Sequence, residues 1–367
     1  MPKPSAIFTT AIIFGAGASV PPLMSQQGLV QELLNDQTHP RIWPAKRYLR
    51  HSFPGLIAKS ADPRSVDIRF EDIVGPLEIA EAEEYWFHFG GSGEPGTLLT
   101  NRQVLSSLDT WVAMALDPQS IPKPTTGKSP KAIEQRVAYG EYYAPKPTCP
   151  LPYGRMIHYL RKDGLLEKTA FLSMNYDVLL DRVVHASGTH IPDYGIDGFY
   201  DPGSVVAASE KDRATTLILK LHGSLNWRAC DNCHILRNLK EFISWPGDKC
   251  TDCGEQAARP MLIRPTLLKD FRHRVWKDVW KRAGHVLAGA SKWVFVGYSL
   301  PLADVWMLRL LAQSSRSGGI LPRKREIVVV NKDPQVKNRF SLLFPEVTFL
   351  KMDFAAWIDS FLDGPSK

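Results

Sequence analysis

Short apolar runs, each ending in a polar or glycine-bearing loop, recur along the chain. Ala11-Ile12-Ile13-Phe14 enters Gly15-Ala16-Gly17-Ala18-Ser19. Thr169 to Met174 enters Asn175-Tyr176-Asp177, and Leu217 to Leu221 enters His222-Gly223-Ser224. Ser291 to Val296 enters Gly297-Tyr298-Ser299-Leu300-Pro301. Glu326 to Val330 enters Asn331-Lys332-Asp333-Pro334, and Val347 to Leu350 leads to Asp353. Apolar runs without polar alternation read as strands covered on both faces, the pattern of a parallel sheet. Segments with helical spacing stand between them. These are Met156, Ile157, Tyr159 and Leu160, ending near Gly164; Leu179, Leu180, Val183 and Val184; Val305, Leu308, Leu310 and Leu311; and Phe354, Trp357, Ile358 and Leu362. The alternation predicts an α/β fold, a Rossmann-type doubly wound parallel sheet, with ligands bound at the carboxyl ends of the strands.

The rhythm breaks between Thr38 and Pro152. A helix is expected from near Gln26, with Leu29, Val30, Leu33 and Leu34 on one face. Beyond it, aromatics and prolines scatter, and Phe70-Glu71-Asp72-Ile73-Val74 opens a helical pattern. Val104, Leu105, Leu108, Trp111, Val112 and Ala115 follow another. Gly90 to Gly93 and Pro118 to Pro130 read as loops. Residues 1–37, 153–228 and 261–367 are thus expected to build the nucleotide-binding sheet. A mostly helical insertion takes 38–152, and a zinc ribbon takes 229–260. The acidic stretch Glu78 to Glu84 reads as a solvated helix face.

Composition sets outer limits. Of 367 residues, 44% are hydrophobic and 23% charged, as in a soluble globular protein. No run of 18 apolar residues suits a membrane helix. The net charge is +7 and the pI about 9.1, modest for this length but compatible with an anionic ligand or nucleic acid. The basic stretches Arg264 to Arg282 and Arg323 to Arg325 read first as a helix face and a loop. Lys3, Ile7 to Phe14 and Ala16-Gly17-Ala18 loosely imitate a signal peptide. Thr9-Thr10 breaks the run, and the same residues serve better as a strand and glycine loop, so a cytoplasmic protein is expected.

Four of the five cysteines form Cys230-Asp231-Asn232-Cys233 and Cys250-Thr251-Asp252-Cys253, two CxxC units sixteen residues apart. This spacing wraps two knuckles around one tetrahedral Zn²⁺, a closed and therefore structural site. The other chemistry-bearing residues are weaker signals singly. Glycines after the first strand let the backbone approach a phosphate. Asn175 and Asp177 stand in a strand-to-helix loop, where either could equally cap the helix. His222 ends a strand where open α/β sheets bind ligands, although a lone histidine there is commonly structural.

Taken in order, GAGAS, NYD, LHGS, CxxC–CxxC, GYSLP and VVVN resemble the sirtuin superfamily, a Rossmann-type NAD fold with a zinc ribbon and a helical module. The resemblance spans Ala11 to about Phe361 and is thin in the insertion. It implies that Gly15, Ala16, Gly17, Ala18 and Ser19 surround the NAD phosphates, and that Asn175 and Asp177 lie beside the nicotinamide ribose. His222 would be the general base. Gly297, Tyr298 and Ser299 would form a second phosphate and ribose loop, Asn331 would contact the adenosine ribose, and Asp353 would lie near the adenine.

Two departures bear on the reaction. Sirtuin deacylases follow the first glycine loop with Gly-Ile-Pro-Asp-Phe-Arg, where this chain has Val20-Pro21-Pro22-Leu23-Met24-Ser25. They carry Phe-Gly-Glu after the ribbon, where this chain has Arg264-Pro265-Thr266-Leu267-Leu268-Lys269. The set with its large early insertion looks more like bacterial sirtuin-like antiphage domains, which hydrolyse NAD. The expected activity is release of nicotinamide and ADP-ribose, with a homo-oligomer or a partner defence protein as trigger. An NAD-dependent protein-lysine deacylase, a non-catalytic NAD or ADP-ribose sensor, and a nucleic-acid binder using the ribbon with Arg272, Arg274, Lys277 and Lys281 are the alternatives. No membrane association is expected.

Overall fold

The computed structural model describes residues 8–19, 42–55, 70–82, 100–116, 143–196, 214–230, 235–238, 249–255, 258–264, 274–301, 304–316 and 325–362, with positions 23, 30, 33, 232 and 233. Among the described residues the strands are β1 (Thr10–Phe14), β2 (Thr169–Ser173), β3 (His190–Asp193), β4 (Ala214–Lys220), β5 (Gly223–Cys230), β6 (Leu236–Asn238), β7 (Ala258–Leu262), β8 (Lys292–Val296), β9 (Glu326–Val330) and β10 (Thr348–Leu350). The helices are α1 (Trp43–Ser52), α2 (Phe70–Ala82), α3 (Asn101–Leu116), α4 (Pro152–Lys162), α5 (Leu179–Ala186), α6 (Arg274–Gly289), α7 (Val305–Arg316), α8 (Gln335–Leu343) and α9 (Phe354–Leu362).

Seven strands form one parallel sheet in the order β10-β9-β8-β1-β2-β4-β3. From β1 the chain proceeds to β2 on one side, and from β8 it proceeds to β9 and β10 on the other. The strand order therefore reverses between β1 and β8. Helices flank the sheet, and α6 packs on α7 while α4 packs on α5 and α9. The inner strands are buried nearly end to end, which is why they read as unbroken apolar runs. Phe14 is the keystone of one face, with its ring 5.1 Å from Tyr153 and 5.6 Å from Phe354.

The six expected strands are all in this sheet. The edge strand β3 was not expected, because His190-Ile191-Pro192-Asp193 is short and holds a proline, which the sheet tolerates only at its rim. The helix α1 was not expected either. Its Pro44 stands in the first turn, where the missing N–H costs nothing.

The three helices α1, α2 and α3 bury a core of their own, built from Tyr48, Leu49, Ile73, Leu77, Val104, Leu108 and Trp111, with Tyr176 of the sheet domain packed against it. The reading of Glu78 to Glu84 as a solvated face needs correction at Glu78; Glu81 is exposed as expected, and Glu83 and Glu84 lie outside the described residues. The Glu78 side chain is only 15% exposed and pairs with Arg264 at 3.2 Å. Arg325 is likewise no part of a surface patch. Its guanidinium donates to the carbonyls of Ala288, Ala290 and Ser315 and covers the Trp293 ring. The expected loops Gly90 to Gly93 and Pro118 to Pro130 lie outside the described residues, as do Gln26, Leu29, Leu34, Arg272, Arg323 and Lys324.

A second, three-stranded antiparallel sheet, β6-β5-β7, carries the cysteines. It begins directly after His222. Among the described residues no helix is long and apolar enough to cross a membrane.

Candidate functional site

The loops after β1 and β8 interlock where the strand order reverses. Gly17 N–H donates to the Gly297 carbonyl at 3.0 Å, and Gly297 N–H donates to Val330 at 3.0 Å. Gly297 has φ +62, and a Cβ there would stand 2.2 Å from the Ala18 nitrogen. Only glycine fits this crossing. Asn331 leans on the same loop, with Nδ2 3.5 Å from the Tyr298 carbonyl, while Arg339 donates to the Ser299 carbonyl at 2.8 Å. Gly15, Gly17, Gly297, Tyr298, Ser299 and Asn331 are thus brought together at the carboxyl ends of three adjacent strands.

Ser19 and Ala18 turn inward. Ser19 is 4% exposed; its hydroxyl donates to Asp177 Oδ2 at 2.7 Å and lies 3.2 Å from the Tyr153 hydroxyl. The Asn175 amide donates to Ser19 Oγ at 3.0 Å and to the Gly15 carbonyl at 2.9 Å. Asp177 also accepts the Leu179 N–H at 3.1 Å, so it starts α5 as well as holding Ser19. The cap and the site residue are one and the same. Burial, reinforced by the Asp177 charge, keeps the Tyr153 phenol well above its ordinary pKa and hence protonated.

His222 occupies the joint between the two sheets. Leu221 N–H continues the parallel sheet by donating to Ser173 at 2.9 Å, and the His222 carbonyl accepts Ile263 N–H at 2.8 Å, next to β7. Gly223 makes this corner, with φ +85 and the Met261 carbonyl 2.1 Å from where a Cβ would stand. Trp280 closes the corner by donating its indole N–H to the Leu221 carbonyl at 3.0 Å. The imidazole Nε2 faces Asp304 Oδ1 at 3.7 Å, and the other oxygen of Asp304 accepts the Tyr298 hydroxyl at 2.6 Å.

Two residues of this neighbourhood escaped the sequence reading. Asp304 precedes α7, and its partner His222 lies in a distant loop. Lys220, the last residue of β4, is 2% exposed. It donates to the Asp177 carbonyl and pairs with Asp181 at 3.3 Å, whose other oxygen accepts the Tyr194 hydroxyl at 2.6 Å. The charge interrupting Leu217-Ile218-Leu219 was the available signal, since a buried lysine needs a built partner.

Cys230, Cys233, Cys250 and Cys253 meet at one end of the antiparallel sheet, their sulfurs all within 4.8 Å of one another. The Cys230–Cys253 and Cys233–Cys250 separations are 3.7 and 3.6 Å. Tetrahedral zinc with bonds of about 2.3 Å needs sulfurs about 3.8 Å apart. The donor set fits a closed zinc site. Backbone amides of Cys233 and Asp252 point at the Cys230 and Cys250 sulfurs. The opposite end of the same ribbon holds His222.

Beside that end, Arg264 grips the helical module. It donates to Asp109 at 2.6 and 3.0 Å and to Glu78 at 3.2 Å. Burial works against its charge, and Asp109 with Glu78 more than offsets this, holding the guanidinium pKa above its ordinary value. Tyr176, between Asn175 and Asp177, points to this side and donates to the Ile263 carbonyl at 2.6 Å.

The fold defines an open α/β protein whose two glycine loops meet at its topological switch point, with a four-cysteine ribbon behind the histidine loop. No family model and no curated protein matches the chain. Solved structures do resemble it. A Sir2 homologue in complex with NAD overlays at TM-score 0.46 and 15% identity, covering 96% of this chain and 87% of that one. Sir2Tm bound to a propionylated peptide overlays at TM-score 0.41 and 14% identity, covering 96% and 92%. A structure from work on the mechanism and regulation of Sir2 enzymes gives 0.42 and 13%, covering 98% and 92%.

Proposed function

We propose that the chain is a sirtuin-like NAD⁺ hydrolase. The observation that carries this reading is the interlocking of the Gly17 and Gly297 loops at the switch point, with Asn175 and His222 on the neighbouring strand ends. Paired glycine loops of this kind suit a pyrophosphate, whose charge the backbone amides receive. The ordered motifs shared with sirtuins point to NAD.

In this reading the C1′–N bond of the nicotinamide riboside breaks, and nicotinamide departs with the bonding electrons. A water oxygen attacks C1′ and gives up a proton. His222 is the base, since an imidazole can take up such a proton and release it again. The Asn175 amide nitrogen is committed to Gly15 and Ser19, so its Oδ1 is the atom that orients the water. Asp177 acts through Ser19, keeping that amide in place. The ribbon zinc, held by Cys230, Cys233, Cys250 and Cys253, supplies rigidity and no chemistry. NAD depletion in the cytoplasm as an antiphage response, triggered by self-assembly or a partner protein, is the biological output of this reading.

The test is product analysis. Protein incubated with NAD⁺ should release equimolar nicotinamide and ADP-ribose, and His222→Ala and Asn175→Ala should each abolish it. O-acyl-ADP-ribose formed only with an acyl-lysine peptide would replace the hydrolase by a deacylase. Tight NAD binding with no product from the triggered protein would replace it by a sensor.

A further inference from the structure

Asp304 is 3% exposed and immediately precedes α7. Among the described residues, Leu300 alone combines a side chain with positive φ, at +50, and it too is buried. Such a backbone persists where the surrounding structure requires it. The turn Asp304 N–H to Pro301, at 2.9 Å, then directs the carboxylate. Its two oxygens are divided between two residues of the site. Oδ2 accepts from Tyr298 at 2.6 Å, and Oδ1 faces His222 Nε2 at 3.7 Å. Burial first, and then the Asp304 charge, keeps Tyr298 well above its ordinary pKa, so it stays a donor.

We infer that Asp304 is the positioning residue of His222, a role that rests on the proposed part of His222 in NAD cleavage. A carboxylate 3.7 Å from Nε2 is close enough to attract a proton onto that nitrogen as the pair closes. It also stabilises the imidazolium that forms when His222 takes the proton, as the aspartate of a hydrolase triad does. The pair stands at ion-pair distance, and catalytic contacts of this kind tighten when substrate is seated. Tyr298 thereby has two tasks, its backbone in the crevice loop and its hydroxyl on Asp304. A capping role at the start of α7 alone would not require a buried phenol on one oxygen and an imidazole at the other.

The experiment compares wild type, Asp304→Asn, Asp304→Glu and Tyr298→Phe as full chains with ¹⁵N-labelled histidine. The His222 resonances are identified by their loss in His222→Gln. Asp304→Asn should lower kcat for NAD⁺ by about 10²- to 10⁴-fold with KM changed less than threefold. It should also move the His222 ring nitrogens away from the Nε2-protonated pattern. Asp304→Glu should recover at least tenfold of kcat, and Tyr298→Phe should fall between. Unchanged ring nitrogens, or kcat within threefold of wild type in Asp304→Asn, would overturn the assignment. If Asp304→Asn does not fold, the Tyr298→Phe kcat and ring shifts decide in the same sense. If wild type cleaves no NAD⁺ while the ring signature still depends on Asp304, the hydrolase reading fails and the pairing stands.

Discussion

Ser19 Oγ donates to Asp177 Oδ2 at 2.7 Å and so fastens the loop after β1 to the loop after β2. The same oxygen accepts from Asn175 at 3.0 Å. Ser19→Ala removes both partners at once and leaves a buried carboxylate oxygen and an amide N–H unpaired. A loss of about 1–3 kcal/mol in stability is expected, read from urea unfolding. The kcat for NAD⁺ should fall at least tenfold, because the freed amide no longer holds Oδ1 still. Stability reduced with kcat unchanged would remove Asn175 from the chemistry.

Gly297→Ala should be more severe for binding than for folding. Both the φ of +62 and the 2.2 Å approach to Ala18 N forbid a Cβ, so the two glycine loops must part. NAD⁺ affinity, followed by calorimetry on His222→Ala protein to prevent turnover, should fall by at least tenfold. Gly188→Ala is the control. It also has positive φ, +69, but a Cβ there meets nothing within 4 Å. Equal affinities in the two variants would show that the crossing does not shape the crevice.

What could be read along the chain, and what could not, divides by the range of the determining contact. Ala11 to Phe14 and Val328 to Val330 declare themselves as inner strands because both faces are covered and every side chain is apolar. The four cysteines declare a zinc site because the metal fixes their spacing. Lys220, Asp304 and Glu78 are different. Each is a charge whose meaning depends on a partner far away in sequence, and Glu78 meets Arg264 across 186 residues. A local pattern can only treat such a residue as solvated. His222 lay between these cases: its place at a strand end was legible, but its position on the joint of two sheets was not.

The Lys220–Asp181 pair lies beneath the site with both side chains essentially inaccessible. Lys220→Met leaves Asp181 charged and buried with Tyr194 as its remaining anchor here, which should cost about 3–5 kcal/mol. Adding Asp181→Asn should restore part of that loss, giving a coupling of about 1–3 kcal/mol in a double-mutant cycle. Thermal unfolding of the four proteins measures it. Additive losses would mean the two groups do not stabilise one another. The Lys220 contact with the Asp177 carbonyl further predicts that kcat falls in Lys220→Met and is not restored by the second change.

Alkaline pH should unfold the protein cooperatively. Burial first, then nearby carboxylates, raises Tyr153, Tyr176 and Tyr298 well above the ordinary phenol value. A raised folded-state pKa gives stability that is complete below pH 10. It is lost as pH rises further, because the unfolded chain releases the proton and the folded chain does not. Each phenol contributes a slope of up to about 1.4 kcal/mol per pH unit. Urea midpoints at pH 9 and pH 11 should therefore differ sharply, and tyrosinate absorbance from these residues should appear only with unfolding. Burial raises Tyr48 in the same way, so Tyr176→Phe should remove about a quarter of the slope. A flat midpoint would contradict the burial of these groups.

Zinc removal should reach His222 through the ribbon. The cysteines clamp one end of β5 and β7, and at the other end Gly223 stands opposite Leu262 and the His222 carbonyl accepts the Ile263 N–H. Trp227 of β5 packs into the core of the sheet domain and Leu225 against Ala113 of the helical module, so the cysteine end is held by its metal, and without it the strands there lose register. The parallel sheet does not depend on it. Chelation should release about one zinc per chain and speed amide exchange between residues 223 and 262, leaving exchange at Ile12, Leu172 and Val294 slow. NAD⁺ turnover should fall in step with zinc content and return when zinc is restored. Arg264 should limit the damage, since its bonds to Asp109 and Glu78 hold the His222 end against the helical module. Arg264→Ala in chelated protein should therefore fail to recover, where chelated wild type recovers. Full activity in zinc-free protein would show that the cysteine end of the ribbon has no hold on His222.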